Sequence, residues 1–190
     1  PWNFPFWQAF RFAVPALLAG NAVLLKPASN VPQCGLAMEK MFRDACGISG
    51  VFQTLFVEIE DIEYIIQNPV LKGLALTGSE RAGASVAELA GKYIKKCVLE
   101  LGGSDPFIVL DDADLEKAAE VGVQARMQNN GQSCIAAKRF MIHSKVADRF
   151  IQLLKDNIGK LKIGDANDLH TDLSALARAD LMEGLAKQVE

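Results

Sequence analysis

Histidine is almost missing from this chain: His143 and His170 are the only two in 190 residues. The four cysteines, Cys34, Cys46, Cys97 and Cys134, show no CxxC spacing. Together these exclude a convincing metal-ligand set, so no metal is expected. The same cysteine usage excludes a disulfide framework and fits free thiols in a reducing compartment. No Ser/His/Asp arrangement emerges, since His143 lies on a strand pattern and His170 in a loop. A surplus of one charge is also missing. Lys plus Arg number 20 and Asp plus Glu 23, for a net charge of -3, with no basic run or acidic tail. That leaves no electrostatic reason to expect nucleic acid or an anionic membrane as partner. The longest apolar run, residues 12–19, contains Pro15 and is far too short to span a bilayer. No charged n-region precedes an apolar core, so no secretory signal is read, and the cytoplasm is the expected location. The chain begins Pro1-Trp2-Asn3-Phe4-Pro5 without an initiator Met and stops inside a helical pattern, which reads as a piece of a longer polypeptide.

What is present is an ordinary globular composition, 50% apolar and 23% charged, enough for one or two domains. Residues 6–18 lean helical, with an interruption expected at Pro15 and a stop at Gly20-Asn21. Short apolar runs at 22–25, 51–57, 71–76 and 97–101 read as buried parallel strands. Helices are expected between them at about 32–45, 59–67 and 84–92. After Gly102-Gly103 the alternation restarts, with strands at 106–110 and 139–143 and helices at about 115–129 and 146–161. A polar loop at 164–172 and a final helix follow. This alternation predicts an α/β fold of doubly wound type, with a second α/β lobe beginning near Gly103.

Several residues carry candidate chemistry. Cys134 sits in Asn129-Asn130-Gly131-Gln132-Ser133-Cys134, and a glycine three residues before a thiol lets backbone amides approach it. Such amides can hold an oxyanion when a thiolate attacks a carbonyl, although free cysteine is also often buried and structural. Glu100 ends an apolar strand; in an apolar setting it suits a general base, and a capping or paired carboxylate is the other reading. Gly78 through Gly83 joins a strand to a helix, where amides meet a phosphate or simply start a helix. It is neither a Walker loop nor a GxGxxG fingerprint. Lys26 follows a strand end, where ligands of open α/β sheets bind, or it is a solvated lysine. Asn3 can donate to an oxyanion or hold a turn, and Arg11 can grip a carboxylate or be an ordinary surface charge.

The order of these pieces is specific. PWNFP, GNAVLLKP, TGS with a glycine four residues on, LELGG and NxGQxC, together with CVLELGGSDPFIVLDDADL, closely resemble the aldehyde dehydrogenase superfamily over the whole chain. Within it, the chain looks most like the bacterial succinate-semialdehyde dehydrogenase branch. The resemblance implies a parallel-sheet, Rossmann-like NAD(P)-binding domain in part over residues 1–103, and the start of a cysteine-bearing catalytic domain over 104–190. Cys134 then matches the nucleophile, Glu100 the general base, and Asn3 the oxyanion donor that acts with the Cys134 N–H. Lys26 matches the lysine on the adenosine ribose, and Ser79, after Gly78, the residue at the pyrophosphate. Trp2, Gly83 and Leu101 are assigned to the cofactor segment. The implied reaction is oxidation of a small aldehyde, with succinic semialdehyde first, through a thiohemiacetal and a thioester on Cys134. Another small aldehyde, or an inactive fragment that at most binds, is the alternative. Ser29 stands where NAD-selective members carry Glu, so NADP is expected to be tolerated beside NAD. Arg11 coincides with one arginine of a carboxylate clamp, while the second is replaced by Gln128, and Arg126 is expected to face elsewhere. Phe56-Val57-Glu58-Ile59-Glu60 replaces a glycine-containing turn, so the adenine side is expected to differ. A homodimer or homotetramer is expected for the full-length protein.

Overall fold

Pro5 stands in the first turn of helix α1, Pro5–Leu18, where a missing N–H removes nothing from the helix. The computed structural model describes residues 1–190. Contrary to expectation, Pro15 does not interrupt α1; the helix runs through it, forgoing only the bond that an N–H at Pro15 would have made. Ala9 and Ala13 are its buried positions. Gly20, at φ 83°, turns the chain out of it.

The chain divides into two compact units, Pro1–Gly102 and Gly103–Glu190. In the first, β1 (Val23–Leu25) pairs in parallel with β2 (Phe52–Thr54), Val23 opposite Phe52. Helix α2, Pro32–Cys46, covers them and ends at Gly47 in the left-handed conformation. Its Met38 and Phe42 join Ala9, Ala13, Val23 and Phe52 in one buried cluster. There the Phe42 ring lies 5.0 Å from Phe10 and 4.6 Å from Phe52. β2 is shorter than residues 51–57. The helix expected over 59–67 is divided into a 3₁₀ turn, Ile59–Asp61, and α3, Ile62–Gln67. The cause is local: Asp61 accepts from the Glu58 N–H at 3.1 Å and tightens the entry turn.

β3 (Gly73–Thr77) and β4 (Lys96–Glu100) form a second parallel pair, with Thr77 opposite Glu100. Between them runs α4, Glu80–Lys92. It starts four residues before the expected Ala84 because Ser79 caps it, its Oγ accepting from the Ala82 N–H at 3.2 Å. No ladder joins β1–β2 to β3–β4. A cleft of about 1120 Å³ lies within this unit, lined by residues of all four strands.

In the second unit, β5 (Asp105–Val109) pairs in parallel with β6 (Ala137–Ile142). Helices α5 (Leu115–Met127) and α6 (Ala147–Ile158) pack with the pair. Asp114 caps α5 by accepting from the Lys117 N–H at 3.0 Å. Val109, Ala119 and Phe150 are the buried centre, with Phe107 and Phe140 against them. Gly122 has a packing reason: a Cβ there would sit 3.2 Å from the Phe140 ring. The last helix, α7 (Ala179–Val189), buries no residue. No helix of the chain is long and apolar enough to cross a membrane.

Candidate active site

The Cys134 loop begins where α5 gives out. Asn129, Asn130 and Gly131 all have positive φ, at 53°, 57° and 74°. Asparagine and glycine are the residues that tolerate this region, and three in succession reverse the chain tightly. Gly131 N–H donates back to the Met127 and Gln128 carbonyls at 3.1 and 3.0 Å. The Asn130 carboxamide is held at both ends, accepting from Ser174 N–H at 3.0 Å and donating to the Ala175 carbonyl at 3.3 Å. Gln132 Oε1 accepts from Ala177 N–H at 3.0 Å. The polar residues of the stretch thus tie the loop to residues 174–177, and the cysteine is left as a half-buried free thiol.

Three contributors went unread in the sequence. Arg126, set aside as facing elsewhere, donates from Nη1 to the Gly131 carbonyl at 3.3 Å and braces the turn. Lys138, on β6, donates to the Ser133 carbonyl at 3.1 Å and the Cys134 carbonyl at 2.9 Å. Gly103, read only as a strand break, lets the backbone pass against Cys134: a Cβ there would meet the Cys134 carbonyl oxygen at 2.8 Å. Ser133 is buried, and its Oγ has no hydrogen-bond partner. Gln128, the C-cap of α5, lines a separate pocket of about 560 Å³ with Gln124, Asn129 and Asp172. No cation lines that pocket, so nothing there replaces the absent second arginine.

In the first unit the structure corrects the expected setting of Glu100. Its surroundings are not apolar. The Glu100 side chain is 48% exposed, and its Oε1 accepts from Arg11 Nη2 at 2.8 Å. The arginine expected to grip a substrate carboxylate therefore holds the carboxylate expected to act as base. The cause is topological: β4 lies at the end of its two-stranded ladder, and its last residues face the cleft that α1 also lines. The Gly78 N–H donates to the Glu100 carbonyl at 3.0 Å, which fixes the backbone of the residue.

The other assigned residues fall at strand ends and helix starts. Lys26 follows β1, Ser29 stands in the turn beyond it, and both are exposed. Ser79 is exposed at the start of α4; its Oγ accepts from Ala82, and its hydroxyl proton is left to donate. Asn3 Oδ1 accepts from the Phe4 N–H at 3.1 Å, which pins the carboxamide by its oxygen. Trp2 beside it is half-buried. Gly83, assigned to the cofactor segment, has a packing reason of its own. It is buried beneath Leu101, whose Cδ2 would lie 2.6 Å from a Cβ at this position. The need is close approach of α4 to the chain after β4, and the Leu101 side chain is occupied in filling it.

The Aldehyde dehydrogenase family profile matches residues 1–190. A Synechocystis protein described as a probable NADP+ succinate-semialdehyde dehydrogenase is 55% identical over all of this chain and 42% of its own length. The chain thus spans well under half of that curated relative. The crystal structure of succinic semialdehyde dehydrogenase from Streptococcus pyogenes in complex with NADP+ superposes with a TM-score of 0.96 at 40% identity, over 100% of this chain and 42% of that one. A mutant of aldehyde dehydrogenase C from Pseudomonas syringae, complexed with NAD+ and octanal, gives a TM-score of 0.90 at 33% identity, over 96% of this chain and 38% of that one.

Proposed function

The chain belongs to the aldehyde dehydrogenase family, and from that membership we propose that the protein carrying it oxidises an aldehyde to the carboxylic acid with NADP or NAD. Succinic semialdehyde is the substrate we favour. The observation that carries the reading is the Cys134 loop, where a free thiol sits in backbone held by side chains on several sides.

The residues of the first unit fit a dinucleotide. An ammonium (Lys26) and two hydroxyls (Ser29, Ser79) stand exposed after the carboxyl ends of β1 and β3, and the first-turn amides of α4 begin beside Ser79. When bound, the nicotinamide supplies a hydride acceptor. Lys26 then holds ribose hydroxyls or a 2′-phosphate, and Ser79 donates to the pyrophosphate. Cys134 attacks the aldehyde carbon as thiolate, its own N–H and the Asn3 carboxamide hold the oxyanion, and loss of hydride leaves a thioester on sulfur. Glu100 takes a proton from water, which attacks the thioester and frees the acid and the thiol.

Support for succinic semialdehyde comes from the described activities of the Synechocystis and Streptococcus relatives and from Arg11 at the cleft. A single guanidinium makes a simple test. In the full-length enzyme, Arg11→Ala should raise the KM for succinic semialdehyde at least about tenfold, the loss of one charge-assisted contact, while the KM for butanal changes less than about twofold. Equal effects on both aldehydes would remove succinic semialdehyde from the reading. The serine at position 29 gives a second test. Ser29→Glu should lower kcat/KM with NADP by about a hundredfold, since a carboxylate repels the 2′-phosphate, and leave NAD turnover nearly unchanged. Unaltered NADP turnover would place the 2′-phosphate elsewhere.

A further inference from the structure

Resting on the reading of Cys134 as nucleophile, we infer that Lys138 is a positioning residue for the reaction: its ammonium orients and polarises the Ser133–Cys134 peptide unit, whose N–H is the oxyanion donor. The argument starts from peptide geometry. A trans peptide is planar, with its C=O and N–H pointing in opposite directions. Whatever grips the Ser133 carbonyl therefore aims the Cys134 N–H. That carbonyl accepts twice, from Lys138 Nζ at 3.1 Å and from Ala136 N–H at 3.2 Å. A cation on an amide oxygen also draws electron density from the nitrogen, so the N–H becomes a stronger donor.

The next peptide is fixed by the same ammonium. The Cys134 carbonyl accepts from Lys138 Nζ at 2.9 Å and is backed by Gly103, where a Cβ would intrude to 2.8 Å. The nucleophile is thus held on both sides of its Cα by one side chain. That side chain is placed by its strand: Lys138 is the second residue of β6, stands at the register shift where Ala137 pairs with Asp105 and Arg139 with Pro106, and follows the buried Ala136 and Ala137. An ammonium with three donors can serve two carbonyls at once; a methionine thioether of similar length donates to neither.

In the acylation step the thiolate forms a C–S bond and the carbonyl π pair moves onto oxygen. Loss of Lys138 weakens the amide that receives this charge without touching sulfur. The full-length enzyme and its Lys138→Met and Lys138→Arg variants are compared in two rates, each at its high-pH plateau so that thiol ionisation does not enter. One is the pre-steady-state burst of reduced nicotinamide with aldehyde. The other is alkylation of Cys134 by iodoacetamide, a displacement that develops no oxyanion. Lys138→Met should slow the burst about tenfold to a hundredfold, less than removal of an oxyanion donor costs, and change alkylation less than about twofold. Lys138→Arg should recover most of the burst. A burst unchanged in Lys138→Met, or burst and alkylation falling by the same factor, would overturn the inference. Should Lys138→Met fail to fold, Gly103→Ala crowds the same Cys134 carbonyl directly and is read by the same pair of rates. Cys134→Ser separates the premise from the inference: full turnover in that variant refutes the nucleophile, whatever Lys138 does.

Discussion

Cys134→Ser in the full-length enzyme is expected to lower aldehyde-dependent reduction of the nicotinamide by at least about 10⁴-fold, the scale of removing a catalytic nucleophile. Folding should be spared. The bonds that hold the loop run through the Asn130 and Gln132 carboxamides, Arg126 and Lys138, and not through the Cys134 sulfur. A thermal midpoint within a few degrees of the wild type and unaltered NADP binding are the companion results. The other three thiols do not confuse the measurement. Cys97 is partly buried, and desolvation pushes its thiol above the ordinary value, which slows it as a nucleophile at neutral pH. Cys34 is half-buried against the core beside α1, and Cys46 is exposed at the end of α2. Retention of more than about a tenth of the activity in Cys134→Ser would place the chemistry elsewhere.

Hydrophobic periodicity carried the element order, because each strand here is a short apolar run and each helix spaces its apolar residues by turns. It failed where a single side chain decides the boundary. Ser79 draws the start of α4 forward by capping it, and the Glu58–Asp61 contact splits what reads as one helix. Pro15 was expected to interrupt α1, yet the helix forgoes one backbone bond there and continues, with Ala9 and Ala13 packed in the core. The division of the parallel strands into separate two-stranded ladders has no signature in apolar spacing at all, since pairing depends on which edges meet.

The site divides the same way. Cys134, Asn3, Lys26 and Ser79 each stand in a local motif, which is what makes them candidates in a linear reading. The Arg11–Glu100 pair joins residues 89 positions apart, and no spacing rule brings them together. Lys138 falls just before the strand read at 139–143 and carries no motif, and only its reach back to the Ser133 and Cys134 carbonyls marks it out. Gly103 looks like a stop signal, although the close passage of the Cys134 carbonyl is what requires it. In each of these cases the information lies in tertiary proximity rather than in residue type.

Glu100→Gln is the second large effect. The variant should still form the thioester and release about one equivalent of reduced nicotinamide per Cys134 in a burst, since in the proposed mechanism the carboxylate acts only after hydride has left. Steady-state turnover should then fall about 10²- to 10⁴-fold, the range for losing a general base. The fold should persist, because the Arg11–Glu100 pair is about half exposed at both ends, and such pairs contribute no more than about 1 kcal/mol. The ion pair adds a sharper expectation. Arg11 is held by the Glu100 carboxylate at 2.8 Å, so a substrate carboxylate must compete for the guanidinium. A glutamine at position 100 removes the competing charge, and the dissociation constant for succinate as a dead-end ligand should fall several-fold, the worth of one partly exposed charge pair. Binding of butyraldehyde, which carries no carboxylate, should not change. Loss of the burst together with turnover would show that Glu100 acts before or during acylation, and unchanged turnover would remove it from the chemistry altogether.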